Sequence, residues 1–237
     1  RTAVKMLADI RGGLQAGTGS LAGSWQIDTR SADLTPFTMG MILPTFSALG
    51  QGTFMLDRNF TGIQMSGRLD ASGERLEVVL PELRTLGTVG VTADFDVFAT
   101  RHELRVSRLE AELSGAGPVA SVEVLQGMEF NRLSGELRVA NPTEDLVHVS
   151  LHALPLGWVQ PFVPDYTLSG EPVRGEFMAQ ARGGRFSMHS TAPVEVAALN
   201  ISQTGRPLVR NLDVSLTVSG DYTPRGWQAE VTSLSLH

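Results

Sequence analysis

Strict alternation of apolar and polar residues is the feature that most constrains what this chain can fold into. Val91, Ala93, Phe95 and Val97 alternate with Thr92, Asp94 and Asp96, and Leu133, Gly135, Leu137 and Val139 with Ser134, Glu136 and Arg138. The same period recurs at Val147–Leu151, Val173–Ala181 and Leu212–Val218. Successive strand side chains point to opposite faces, so each of these segments has one dry and one wet side. Strands of a βαβ fold are buried on both faces and read as continuous apolar runs instead. The pattern predicts an all-β, mainly antiparallel sheet.

Glycine-centred turn signals punctuate the runs and predict hairpin tips at Ala71–Glu74, Arg182–Arg185, Gln203–Arg206 and Gly220–Pro224. Long strands with short loops favour up-and-down connectivity. Helical signals are few. Val4–Ile10 reads as a helix end or a first strand. Leu154–Val163 (LPLGWVQPFV) is the better helix, limited in length by Pro161. A second Pro-flanked apolar piece spans Pro36–Leu49. A short phrase recurs at Met65–Leu69, Leu133–Leu137 and Leu168–Glu171, suggesting a long internal repeat. The expected division is 1–142 as a first set of strands and 143–237 as a second unit, with a short helix near 154–163, in one continuous sheet.

Composition removes several functions. The formal net charge of -6 and the scattered arginines argue against a nucleic-acid partner, which needs a concentrated basic face. Zero cysteines exclude a disulfide framework, thiolate metal sites and a thiol nucleophile. No stretch approaches the roughly 18 apolar residues of a membrane-spanning helix. The chain begins at Arg1 rather than Met, so it is expected to be a fragment or processed product.

Catalytic patterns are missing too. Gly17–Gly23 is glycine-rich but lacks phosphate-loop spacing and a following helix, so it reads as a strand connection. His148 and His152 would lie on one strand face but roughly 13 Å apart, too far to share a metal without ligands from neighbouring strands. The pairs Asp94/Asp96 and Glu110/Glu112 fall on polar strand faces and read as solubilising charge. There is no Gly-x-Ser-x-Gly elbow, and Lys5 is the only lysine. The expectation is a non-enzyme without a cofactor or a metal. Trp25, Trp158 and Trp227 read as packing anchors, with a binding surface as the alternative.

With hardly any helix to cover it, the dry face has three possible fates. Two sheets can stack as a sandwich, one sheet can close into a barrel, or a curved sheet can leave a groove for an apolar occupant. The residues alone leave these open.

The stretches 154–164 (LPLGWVQPFVP) and 168–177 (LSGEPVRGEF), followed by 205–216 (GRPLVRNLDVSL) and 226–231 (GWQAEV), resemble the AsmA-like superfamily of bacterial envelope proteins, which includes TamB and YhdP. The likeness is strongest over 133–237. It implies a long twisted sheet curled into an open groove, with one or two short helical segments. It also implies residence in the periplasm, with the full-length protein anchored in the inner membrane by an N-terminal helix that this chain lacks. The implied role is carriage of phospholipid between inner and outer membranes, with acyl chains and membrane proteins of the envelope as partners. The groove would be lined by Leu137, Val139, Val147, Val149, Leu151, Phe177, Phe186, Leu212, Val214, Leu216 and Val218. The rival expectation is a closed sandwich or barrel serving as a structural or assembly module, in which the same residues form a dry core.

Overall fold

The computed structural model describes residues 3–7, 21–34, 44–57, 59, 61–78, 81–182, 185–223 and 226–237. The first strands are β1 (Ala3–Leu7), β2 (Leu21–Arg30), β3 (Thr45–Leu56), β4 (Gly62–Glu74) and β5 (Val89–Thr100). They are followed by β6 (Glu103–Ser114), β7 (Pro118–Val124), β8 (Met128–Asn131), β9 (Leu137–Val139) and β10 (Val147–Leu154). The last are β11 (Tyr166–Ser169), β12 (Val173–Arg182), β13 (Arg185–Gln203), β14 (Arg206–Thr223) and β15 (Gly226–Leu236). Two four-residue helices, α1 (Ser31–Leu34) and α2 (Leu156–Val159), complete the regular elements together with short 3-10 turns.

All fifteen described strands belong to one sheet, and every described pairing is antiparallel. The main path runs β1-β2-β3-β4-β5-β6-β7-β10-β12-β13-β14-β15. The three strands off this path are continuations of interrupted ones. β8 extends β7 along β6, β9 extends β10 along β8, and β11 extends β12 along the long β13. The chain is thus an up-and-down meander whose first and last strands do not pair, an open curled sheet rather than a sandwich or barrel. The closed-core expectation is therefore overturned. Among the described residues eight apolar side chains are buried, Trp25, Val106, Val119, Val124, Leu146, Leu156, Ala179 and Ala181. Two stacked sheets of this length would bury a whole layer of side chains instead.

Several local expectations hold. α2 and the 3-10 turn Gln160–Phe162 occupy the segment marked by its prolines, with Pro161 inside the 3-10 turn. The tip at Gln203–Arg206 is a two-residue hairpin with Thr204 at φ 48° and Gly205 at φ 79°, the left-handed pair that matches strand twist. Arg182 and Arg185 face each other across the hairpin between β12 and β13. Ala3–Leu7 is a strand, which resolves the first part of the Val4–Ile10 ambiguity. Of Pro36–Leu49, residues 36–43 lie outside the described residues, and Thr45–Leu49 begin β3.

Others do not hold. Ala71–Glu74 is not a tip: these residues pair with β3 on one side, and all but Glu74 with β5 on the other. A Ser-Gly pair inside an alternating run is compatible with strand whenever both neighbours supply a ladder. Likewise Gly220–Thr223 still belong to β14. Leu133–Gly135 are not strand but part of a turn, with Leu133 75% exposed, because Asn131 Oδ1 accepts the amides of Leu133 and Ser134 and closes the chain on itself. The phrase shared by Met65–Leu69, Leu133–Leu137 and Leu168–Glu171 therefore lies mid-strand, in a turn and at a strand end respectively.

The interruption of β9–β10 has its own anchor. Residues 140–145 bow out of the ladder, while Leu146 already bonds both neighbours, and the half-buried Gln126 holds the bow. Its Nε2 donates to the carbonyls of Asn141, Glu144 and Asp145 at 3.0–3.2 Å, and its Oε1 accepts from Asn141 N at 2.8 Å. One side-chain amide thereby replaces the ladder partners that the bow has lost.

Candidate functional site: the uncovered apolar face

Register places the apolar members of every alternating segment on one face. In cross-strand order one row runs Trp25, Gly52, Gly67, Phe95 and Leu109, from β2 to β6. A second runs Leu113, Ala120, Leu151 and Gly175, and a third Ala111, Val122, Val149 and Phe177. The face continues through Val194, Leu216 and Leu234 on β13, β14 and β15.

Of the residues expected to line a groove, Val147, Val149 and Leu151 share this face with Phe177 of β12. Phe186 of β13 stands opposite Ala181 of β12 and Tyr222 of β14. Leu212, Val214, Leu216 and Val218 of β14 are on the same face. Leu137 and Val139 also fall there, but off the main path, opposite Phe130 and Met128 of β8. The structure thus brings nine of the eleven onto the main sheet and sets the other two on a side branch.

Sequence reading missed the β2–β5 end of this face. Trp25 is 5% exposed, the most buried aromatic described. Its indole lies over Gly52 and Gly67 and stacks on Phe95 at 6.0 Å between ring centroids with an 18° interplanar angle, while Nε1 donates to Ser66 O at 3.3 Å. The signal was present as glycines on the dry side of β3 and β4, where a strand has no packing reason for them.

On the apolar face most large side chains of β2 to β14 are half-buried, although no second layer of described residues covers them. Coverage fades at the last strand: Trp227 is 78% exposed, with Val231, Leu234 and Leu236 also uncovered. Of the three tryptophans, Trp25 and Trp158 are packed, whereas Trp227 is not a packing anchor.

The opposite face is polar and largely self-satisfied. Arg68 pairs with Asp70 at 3.3 Å and Asp94 at 3.5 Å, and Arg108 with Glu110 at 3.1 Å. Asp96 accepts from Gln64, and the Thr53–Ser66 and Ser47–Ser72 hydroxyls bond across strands. Asp70 is held below the usual carboxylate range by hydrogen bonds from Thr92 and Arg68. His152 Nε2 meets Ser121 Oγ at 3.0 Å, and His148 Nε2 meets Ser150 Oγ at 3.3 Å. No group of three metal-ligating side chains gathers among the described residues. One depression on this side, of about 760 Å³, lies between Gln51, Arg68, Asp94 and Arg108. The apolar face is the surface without partners.

Comparison with protein-family models, with curated proteins and with solved structures finds no match to this chain.

Proposed function

We propose that this chain is a lipid-conducting segment of an AsmA-like envelope protein, carrying phospholipid between the inner and outer bacterial membranes. The observation that carries the reading is the apolar face itself, continuous across the sheet and covered by no second layer among the described residues. An apolar surface of this extent is a liability in water unless something occupies it. Acyl chains suit it because they are held by area, at about 25 cal/mol per Å², and need no directed bonds. Among the described residues the face offers few polar side chains, chiefly Ser190 and Tyr222, which fits a cargo that slides rather than one that docks. On this reading the site is periplasmic, the anchor belongs to the full-length protein, and the partners are envelope membrane proteins at either end.

The test is organic extraction and native mass spectrometry of the purified chain, followed by lipid transfer between donor and acceptor vesicles. Copurifying phospholipid and transfer above the spontaneous rate are expected. Val149→Asp with Val214→Asp should abolish transfer while leaving the circular dichroism of the sheet intact, since both residues sit on the uncovered face. Transfer at the wild-type rate by that double variant, or a wild-type chain that takes up no lipid, would sink the proposal.

A further inference from the structure

Hydrogen bonding is uneven across the width of the sheet. β3 pairs with β4 along the whole of Thr45–Leu56, β4 with β5 over Gly62–Gly73, and β13 with β14 from Phe186/Tyr222 to Gln203/Arg206. The border between β10 and β12 is much shorter. It runs from Val147/Ala179 to Leu154/Val173 with a register shift between Leu151 and Leu154, and Leu146 N adds one bond to Ala179 O. The strands that continue β10 and β12 do not lengthen it, because among the described residues β9 pairs with β8 alone and β11 with β13 alone. The β7–β10 border is as short, but there the β8–β9 pairing resumes the ladder beyond the bow.

Side chains take over where the β10–β12 ladder stops. At one flank Gln180 Nε2 of β12 donates to Asp145 Oδ1 at 3.0 Å. At the other, Gln160, just after α2, serves the outer edge of β11: its Nε2 donates to Tyr166 O, and its Oε1 accepts from Leu168 N at 3.0 Å. The α2 connection itself is bound to the β1–β10 side through the β4–β5 connection, since Trp158 Nε1 donates to Leu86 O at 3.1 Å and Thr85 Oγ1 to Gly157 O at 2.6 Å. Beside the ladder, Arg174 Nε reaches His152 O at 3.3 Å. Each of these ties is a side chain on rotatable bonds, standing where the other borders have backbone.

We infer that the β10–β12 border is a hinge between two stiff wings, β1–β10 and β11–β15, with Gln160 and Gln180 as the ties that limit its swing. Bending between two strands is resisted by the hydrogen bonds they share. Rotation therefore concentrates where the shared ladder is shortest and an irregular step interrupts it. Such a rotation changes the angle between the wings, and with it the opening of the curl and access to the apolar face. The inference stands on the hydrogen bonding and holds whatever the face carries.

The chain has no cysteine, so nitroxide labels on introduced cysteine pairs report single distances. Gln51, Glu123 and Glu230 are exposed and lie in one row across the polar face, on β3, β7 and β15. Double electron–electron resonance on Gln51→Cys with Glu123→Cys, both within one wing, should give a narrow distance distribution. Glu123→Cys with Glu230→Cys, across the border, should give one about twice as wide. Adding Gln160→Ala and Gln180→Ala should widen the second distribution further and leave the first unchanged. Equal widths for the two pairs would overturn the hinge. So would a cross-border distribution that ignores the two alanines, or a widening of both pairs alike, since the wings would then not be stiff.

Discussion

Trp25 and Phe95 stack at 6.0 Å although their strands are separated by two others. The contact is possible because Gly52 and Gly67, in register between them, give the indole a floor without side chains. A Cβ at Gly52 would stand 2.0 Å from Ser66 O, and one at Gly67 2.3 Å from Gln51 O. Gly52→Ala and Gly67→Ala should each therefore cost about 1–3 kcal/mol of stability, and Trp25→Ala about 3–5 kcal/mol. Gly117→Ala, where an added Cβ meets nothing within 4 Å, should be close to neutral. Urea denaturation of the four variants reads this directly, and equal midpoints would remove the brace.

Gln126 is expected to be indispensable to the bow at 140–145. Gln126→Ala leaves the Asn141 amide and the Glu144 and Asp145 carbonyls without their partner, Asn141 O keeping only the Glu144 amide, and should cost about 1–3 kcal/mol. Hydrogen exchange at Asn141 should accelerate while the amides of β7 stay protected. Unchanged exchange would mean that water replaces the side chain fully.

The carboxyl of Asp57 lies below the ordinary carboxylate range, chiefly because Thr61 Oγ1 donates to it at 2.6 Å, with the Thr61 amide adding a second bond at 2.7 Å. A depressed carboxylate contributes stability that is fully present above its unfolded pKa and is lost as pH falls through the folded one. The contribution should therefore hold at neutral pH and disappear only below the ordinary range. Thr61→Val should move the carboxyl carbon titration upward in an NMR experiment. An unmoved titration would assign the depression to the backbone alone.

Trp227 offers an internal reporter of occupancy. It is exposed, on the apolar face, opposite Tyr222. Acyl chains settling on the face should shift its emission to the blue, and bromine-labelled chains should quench it. Trp227→Phe should remove most of that change, because Trp25 is buried beforehand and Trp158 lies at the far rim. A shift that survives the substitution would place the occupant elsewhere.

Rim packing gives a last test. Trp158→Ala removes the bond to Leu86 O and the ring beside Gly115. Proteases should then cut within 81–86 at least several times faster than in wild type, with the 101–102 turn unaffected. Equal cutting would show that Thr85 and Gly157 hold the two connections without the indole.

The alternating residues of β5, β10, β12 and β14 were enough to specify antiparallel strands and the two faces, since a period of two is a local property of extended backbone. The short helix was legible for the same reason, as its prolines act on their own neighbours. Whether the sheet closes was not legible, because Val149 and Val214 read alike on a sandwich, a barrel or an open curl. Only the tertiary structure decided that, by leaving the outer edges of β1 and β15 unpaired. It also decided the stacking of Trp25 on Phe95, which depends on four strands lying in one register. It also brought together residues as distant in sequence as Thr85 and Gly157, or His102 and Arg132, which become neighbours only when the meander brings successive turns to the same end.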